Sequence, residues 1–157
     1  MVRIEAMKHH HLDEVIQLSV SEEQLKFVGT IDEILVNIDN VVHPHVIMSD
    51  DRVVGFFLID TTYANNYEFA EPGSLGLRAY LIGQQYQGQG LGKLAVQELS
   101  GFLSLHYPQF QQIYLTVNCK NPGAKHCYLS GGFEDTESLY LGGAAGPQHI
   151  MKLAFAQ

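Results

Sequence analysis

Leu75-Gly76-Leu77-Arg78-Ala79-Tyr80-Leu81-Ile82-Gly83-Gln84-Gln85-Tyr86-Gln87-Gly88-Gln89-Gly90-Leu91-Gly92-Lys93 is the stretch on which the fold turns. Its first part, Leu75 to Ile82, reads as a strand. A glycine-rich segment follows, and then Leu91, Leu94, Ala95, Glu98, Leu99 and Phe102 fall at helical spacing. Between a strand and a helix, glycines permit positive φ and leave no side chain between backbone and ligand. The unpaired N–H groups of the helix's first turn, with the helix dipole, then make an anion site suited to a pyrophosphate. Lys93 adds a positive charge there, or is merely solvated. Two other phosphate turns fit poorly. The spacing GxGxxG of a dinucleotide-binding turn is absent, and Gly92-Lys93 is followed by Leu94 rather than the Ser or Thr of a phosphate-binding P-loop.

On the N-terminal side, Val2 to Ala6 alternates as a strand, and Leu12, Val15, Ile16 and Leu18 mark a first helix. A second helix is expected over Ser21 to Val28. A third runs from Thr30 to Ile38, with Ile31, Ile34, Leu35 and Ile38 as its apolar stripe. Val46 to Met48 and Val53 to Ile59 form a hairpin about the turn Asp50-Asp51. Ala64 to Gly73 reads as a loop. Beyond the long helix come a strand, Gln112 to Val117, and a short helix, Pro122 to Ser130. That helix starts on proline and ends on Gly131-Gly132. Phe133 and Ile150 to Phe155 complete the sheet. This order predicts an α/β, three-layer arrangement on a mixed, mostly antiparallel sheet.

The 157 residues suggest a single domain, 1–157. A hydrophobic fraction of 46% against 17% charged is that of a globular chain. The net charge of −8 argues against nucleic acid as a partner and is compatible with a cationic small substrate. No apolar run approaches a membrane span, and Met1-Val2-Arg3-Ile4-Glu5 is no signal peptide. Cys119 and Cys127 lack zinc or redox spacing, so a reducing, cytoplasmic setting is expected.

The stretch Leu77 to Gly92 resembles the acetyl-CoA motif of the GNAT superfamily of N-acetyltransferases, Gln/Arg-x-x-Gly-x-Gly/Ala after a strand. Gln87, Gly90 and Gly92 fill its three places. Leu115-Thr116-Val117-Asn118, then Asn121, Ala124, Tyr128 and Gly132-Phe133, are similar to the family's next block, and Val54-Gly55-Phe56 to its hairpin strand. The resemblance implies a GNAT-like α/β/α fold whose sheet splays at the acetyl-CoA site. Backbone groups of Leu81 and Ile82 would hold the pantetheine arm. The loop Gln87, Gly88, Gln89, Gly90, Leu91, Gly92, with Lys93, would take the pyrophosphate. Tyr128 would be the general acid for the leaving thiolate, and a neutral amine would attack the thioester directly.

Several of these residues have a plain alternative. Tyr128 is otherwise a core aromatic, Asn121 a helix cap ahead of Pro122 instead of, or as well as, a cofactor contact, and Asn118 a structural residue at a strand end. Cys127 is expected to face away from Tyr128 and to have no catalytic role. The family's strand carboxylate has no counterpart near Gly76, leaving Glu68, Glu71 and Tyr80 as substitute bases. His9-His10-His11 reads as a solvated helix start rather than a metal site, and His43 and His45 as a loop. No metal is expected.

Within the resemblance the acceptor is a small-molecule primary amine. Glu23 to Val28, with Val46-Ile47 and Val54-Gly55-Phe56, is similar to bacterial diamine and spermidine acetyltransferases. Glu22, Glu23, Asp32, Glu33 and Asp39 are the acids available to a polyamine. A protein N-terminus or lysine, an aminoglycoside, or a non-catalytic acetyl-CoA sensor are the alternatives, and a homodimer is left open.

Overall fold

The structure, a computed structural model, describes residues 1–19, 31–36 and 38–155. The expected helix over Ser21 to Val28, the Thr30 cap, and the acids Glu22 and Glu23 lie outside the described residues.

Seven strands form one sheet in the order β1-β2-β3-β4-β5-β7-β6. They are β1 Val2–Ala6, β2 Val42–Ser49, β3 Arg52–Asp60, β4 Ser74–Ile82, β5 Gln112–Asn118, β6 Glu134–Tyr140 and β7 Gln148–Ala154. The described helices are α1 Leu12–Ile16, α2 Ile31–Leu35, α3 Tyr63–Asn66, α4 Leu91–His106 and α5 Pro122–Ser130. Among the described strands only β4 and β5 run parallel; the other pairs are antiparallel.

Each face of the sheet carries a core. On one side α4 buries Ala95, Val96, Leu99 and Leu103 against Val54, Phe57, Ile59, Leu75, Leu77, Ile113 and Leu115. On the other, Val15, Leu18, Ile31 and Ile34 of the N-terminal segments cover Val46, Met48, Phe56 and Leu58. A fully buried residue of this kind contributes about 2 kcal/mol. Ile16, expected on the buried stripe of α1, is instead 51% exposed, since so short a helix covers the sheet through Val15 alone.

Two irregularities change which side chain faces which core. Ile47 pairs with Gly55 but Met48 with Val53, so β3 holds one extra residue at Val54. Leu58 pairs with Arg78 but Phe56 with Leu81, so β4 holds one extra residue around Ala79, whose φ is +55°. In an unbroken strand, alternate residues share a face. Across the second bulge the alternation flips: Leu75, Leu77, Tyr80 and Ile82 meet the α4 core, while Ala79 and Leu81 meet the α1–α2 core.

Several readings of the sequence change here. His43 and His45 lie within β2, not in a loop. Pro44 is tolerated there because its backbone points towards β1, which ends at Ala6; its carbonyl accepts from Met7, so no bond to β3 is lost. His11 is buried rather than solvated. Its Nδ1 accepts from the Lys8 N–H at 2.9 Å and its Nε2 lies 3.5 Å from Glu5. The segment Ala64 to Gly73 opens with the single helical turn α3.

Candidate active site

Parallel pairing of β4 with β5 covers only Ser74–Gly76 against Gln112–Tyr114. Beyond it the strands part, because the bulge at Ala79 bends β4 away. A cavity of about 710 Å³ fills the opening. It passes between the two faces of the sheet. On the α4 side it is lined by the loop, Tyr80, Ile82, Leu115, Val117 and residues of α5; on the other side by Tyr63, Tyr67, Arg78, Ala79, Thr116 and Gln148.

The loop occupies the α4 end as the sequence predicts. Gly88 and Gly90 have φ of +82° and +77°, and a Cβ at either would meet nothing within 4 Å. They face open space in a conformation that other residues adopt at a cost. Gly90 is the N-cap of α4, so the first-turn amides of Leu91, Gly92 and Lys93 have no carbonyl of their own helix to bond. At Gly92 a Cβ would stand 3.3 Å from Ile82 and 3.6 Å from the Cys127 sulfur, narrowing the cleft between β4 and α5. A chain of phosphates fits such a cradle. Gln87 Nε2 donates to the Ile82 carbonyl at 2.8 Å and ties the loop to the end of β4. Leu81 and Ile82 thus lack a β5 partner, as expected, although the Ile82 carbonyl already accepts one bond. Gln87, Gly88, Gly90, Leu91, Gly92 and Lys93 line the cavity; Gln89 does not.

Asn121 fills the capping role: its Oδ1 accepts from the Ala124 N–H at 3.3 Å, and it also lines the cavity. Asn118 is bonded to Lys120 N and Ala145 O at the end of β5, and it too lines the cavity. Tyr128 lies buried at the seam between the strands, edge-on to Tyr80 and Phe133, each with ring centres 5.7 Å away. Burial, followed by the neighbouring Cys127, pushes its phenol well above the usual range, so it stays protonated and able to donate.

Cys127 is a correction: it faces the same cavity as Tyr128, because the cavity wraps the first two turns of α5. Burial raises its thiol, which disfavours the nucleophilic thiolate. The substitute bases fare badly. Neither Glu68 nor Glu71 lines the cavity, and Glu71 is engaged with Tyr114. Tyr80 donates its hydroxyl to the Gly92 carbonyl at 2.6 Å, and burial pushes its phenol well up. Among the described residues, no carboxylate lines the cavity.

Reading the sequence missed Arg78, Tyr63, Tyr67 and Gln148. Arg78 alone left a trace, as a lone charge inside an apolar strand.

Comparison with known proteins bears on this geometry. The sequence profile described as the acetyltransferase (GNAT) family matches residues 4–133. An uncharacterized N-acetyltransferase of Bacillus subtilis (strain 168), YbbJ, is 30% identical over 143 residues, 86% of each chain. Among solved structures, the aminoglycoside acetyltransferase AAC(6')-Ib in complex with coenzyme A superposes with a TM-score of 0.77 at 20% identity, over 98% of this chain and 95% of that one. The spermidine N-acetyltransferase of Vibrio cholerae in complex with CoA and spermine superposes at 0.69 and 18% identity, over 98% and 95%. At such identities the two structures speak for the fold. With the profile and the Bacillus relative, they make the conclusion plain: the chain belongs to the acetyltransferase (GNAT) family and is an acetyl-CoA-dependent N-acetyltransferase.

Proposed function

We propose that the chain transfers the acetyl group to a primary amine on a small molecule by direct attack in a ternary complex, with Tyr128 as general acid. The observation that carries this reading is the opening between β4 and β5, which joins the glycine cradle on one face of the sheet to a separate chamber on the other. Two reactants can enter from opposite sides and meet at the seam, beside Tyr128. Holding them so converts a bimolecular step into a unimolecular one.

In this reading Gly88, Gly90 and the amides of Leu91, Gly92 and Lys93 hold the pyrophosphate, the freed edge of β4 at Leu81 and Ile82 holds the pantetheine arm, and Asn121 supports the α5 side. Bound acetyl-CoA supplies a thioester carbonyl and a thiol leaving group. The amine nitrogen forms the new N–C bond as the C–S bond breaks; its proton leaves to water, Tyr128 gives its phenolic proton to the sulfur, and the tyrosinate recovers a proton from water. Burial keeps the Tyr128 phenol protonated up to the moment the thiolate departs. With no carboxylate on the described lining, an amine that arrives neutral needs no built-in base. The free thiols of Cys119 and Cys127 suit a reducing, cytoplasmic setting.

The polyamine reading draws no support from the described residues. Glu33 is exposed on α2 and Asp39 is turned to the backbone of Val41 and Val42; neither lines the cavity.

The test is single-turnover acetyl transfer by Tyr128→Phe, which removes product release from the measured rate. The expected loss is about 10²–10⁴-fold with acetyl-CoA affinity retained. An unchanged single-turnover rate assigns Tyr128 to packing and refutes its role as the acid.

A further inference from the structure

The chamber on the α3 side of the opening differs in character from the glycine cradle. It is lined by Tyr63 and Tyr67, whose rings stack at 4.4 Å and 26°, with Thr116, Gln148 and Arg78. Arg78 is held from behind. Its Nη1 lies 3.3 Å from Asp60 Oδ2, and the other oxygen of Asp60 is taken by the Thr62 N–H and hydroxyl, each at 2.9 Å. The Asp60 side chain is 3% exposed, but that of Arg78 is 39% exposed. A buried carboxylate thus anchors one edge of a fork of five donors. Among the described residues Arg78 makes no other hydrogen bond or ion pair, and it lines the cavity. Such a fork matches a carboxylate in two parallel hydrogen bonds.

We infer that Arg78 is a specificity-determining residue that binds an anionic group, a carboxylate, on the amine acceptor. The inference rests on the acetyltransfer reading above and goes beyond it by giving the acceptor's class: a primary amine that also carries a carboxylate. The charge of the lining supports this class over a polycation. Among the described residues the lining carries Arg78 and Lys93 and no carboxylate, so a second ammonium finds no opposite charge on it. The net charge of −8 acts on approach and is screened within about 8–10 Å, whereas the Arg78 contact is local.

The experiment uses matched pairs of amines that differ only by a free carboxylate or its primary amide, with spermidine as the cationic arm. kcat/KM is measured for wild type, Arg78→Gln and Arg78→Lys. Binding of the N-acetylated acid and N-acetylated amide to the CoA-loaded protein is measured by calorimetry, independently of turnover. The wild type is expected to favour acid over amide by about 10- to 100-fold, the range of a hydrogen bond to a charged group, in both readouts. Arg78→Gln brings the ratio towards one, through KM rather than kcat, and Arg78→Lys restores part of it. Equal handling of acid and amide by the wild type, a preference for spermidine, or an equal loss for every amine in Arg78→Gln overturns the inference. The last outcome would mark the Asp60–Arg78 pair as structural only. A calorimetric preference for the acid without turnover of any amine would uphold the site and refute the transfer reading instead.

Discussion

His45 is a neutral imidazole folded into a place that water cannot reach, and acid should expose it. It is 2% exposed, lies 5.2 Å from Phe57 in a parallel stack, and meets Phe102 edge-on. Its Nδ1 is 3.1 Å from the His43 carbonyl and its Nε2 3.4 Å from the Tyr107 hydroxyl. Burial first, then the nearby His43 and His106, lowers its pKa from 6.5 to about 4. The sign follows from which state binds the proton. Below pH 6.5 the unfolded chain takes up a proton that the folded chain refuses until about 4. Stability is therefore whole above 6.5, falls as the pH drops through that window, and levels off near 4. At 1.36 kcal/mol per unit the total is about 3 kcal/mol, with a limiting slope of about 1.4 kcal/mol per pH unit. The assay is urea unfolding at intervals from pH 7.5 to 4.5, for wild type and for His45→Phe, which keeps the stack and removes the titration. His11, also lowered chiefly by burial, adds to the slope in both proteins. The low carboxyls of Asp39 and Asp135 act only further into acid. The variant should thus have the shallower slope, by close to one proton, whatever its stability at pH 7.5. Identical slopes would refute the argument that His45 is held neutral by burial.

Gly90→Asp puts a side chain at φ +77° into open space before the first turn of α4. Set against a pyrophosphate it should cost about 1–4 kcal/mol of acetyl-CoA affinity; calorimetry giving wild-type affinity would remove the loop from the phosphate site. Gly131→Ala would drive a Cβ to within 2.0 Å of Val96, where the end of α5 meets α4, and should lower stability by about 1–3 kcal/mol in denaturant unfolding.

Most elements of this fold are legible locally. The stripe of α4, the Asp50-Asp51 turn, the proline and glycines that bound α5 and the glycine loop are each set by neighbours within a few residues, because backbone preference and hydrophobic period act over that range. So the strand-loop-helix is expected from the chain itself, whereas the opening between β4 and β5 and the role of Tyr128 are expected only through the family resemblance. What tertiary structure alone decides is which way the intervening side chains point. Ala79 carries no sign of a positive φ, and the bulge there follows from pairing with β3, a strand that register places well back along the chain, as Leu58 opposite Arg78. That one extra residue turns Tyr80 to the α4 side, leaves Arg78 on the other, and bends β4 open. His43 and His45 likewise look like loop residues beside Pro44 until β1 is seen to end where the missing N–H would fall. Cys127 joins Tyr128 in the cavity because the cavity curves around α5, a shape no helical period encodes. Alternation predicts a face only while the register holds, and register is a property of two strands, never of one.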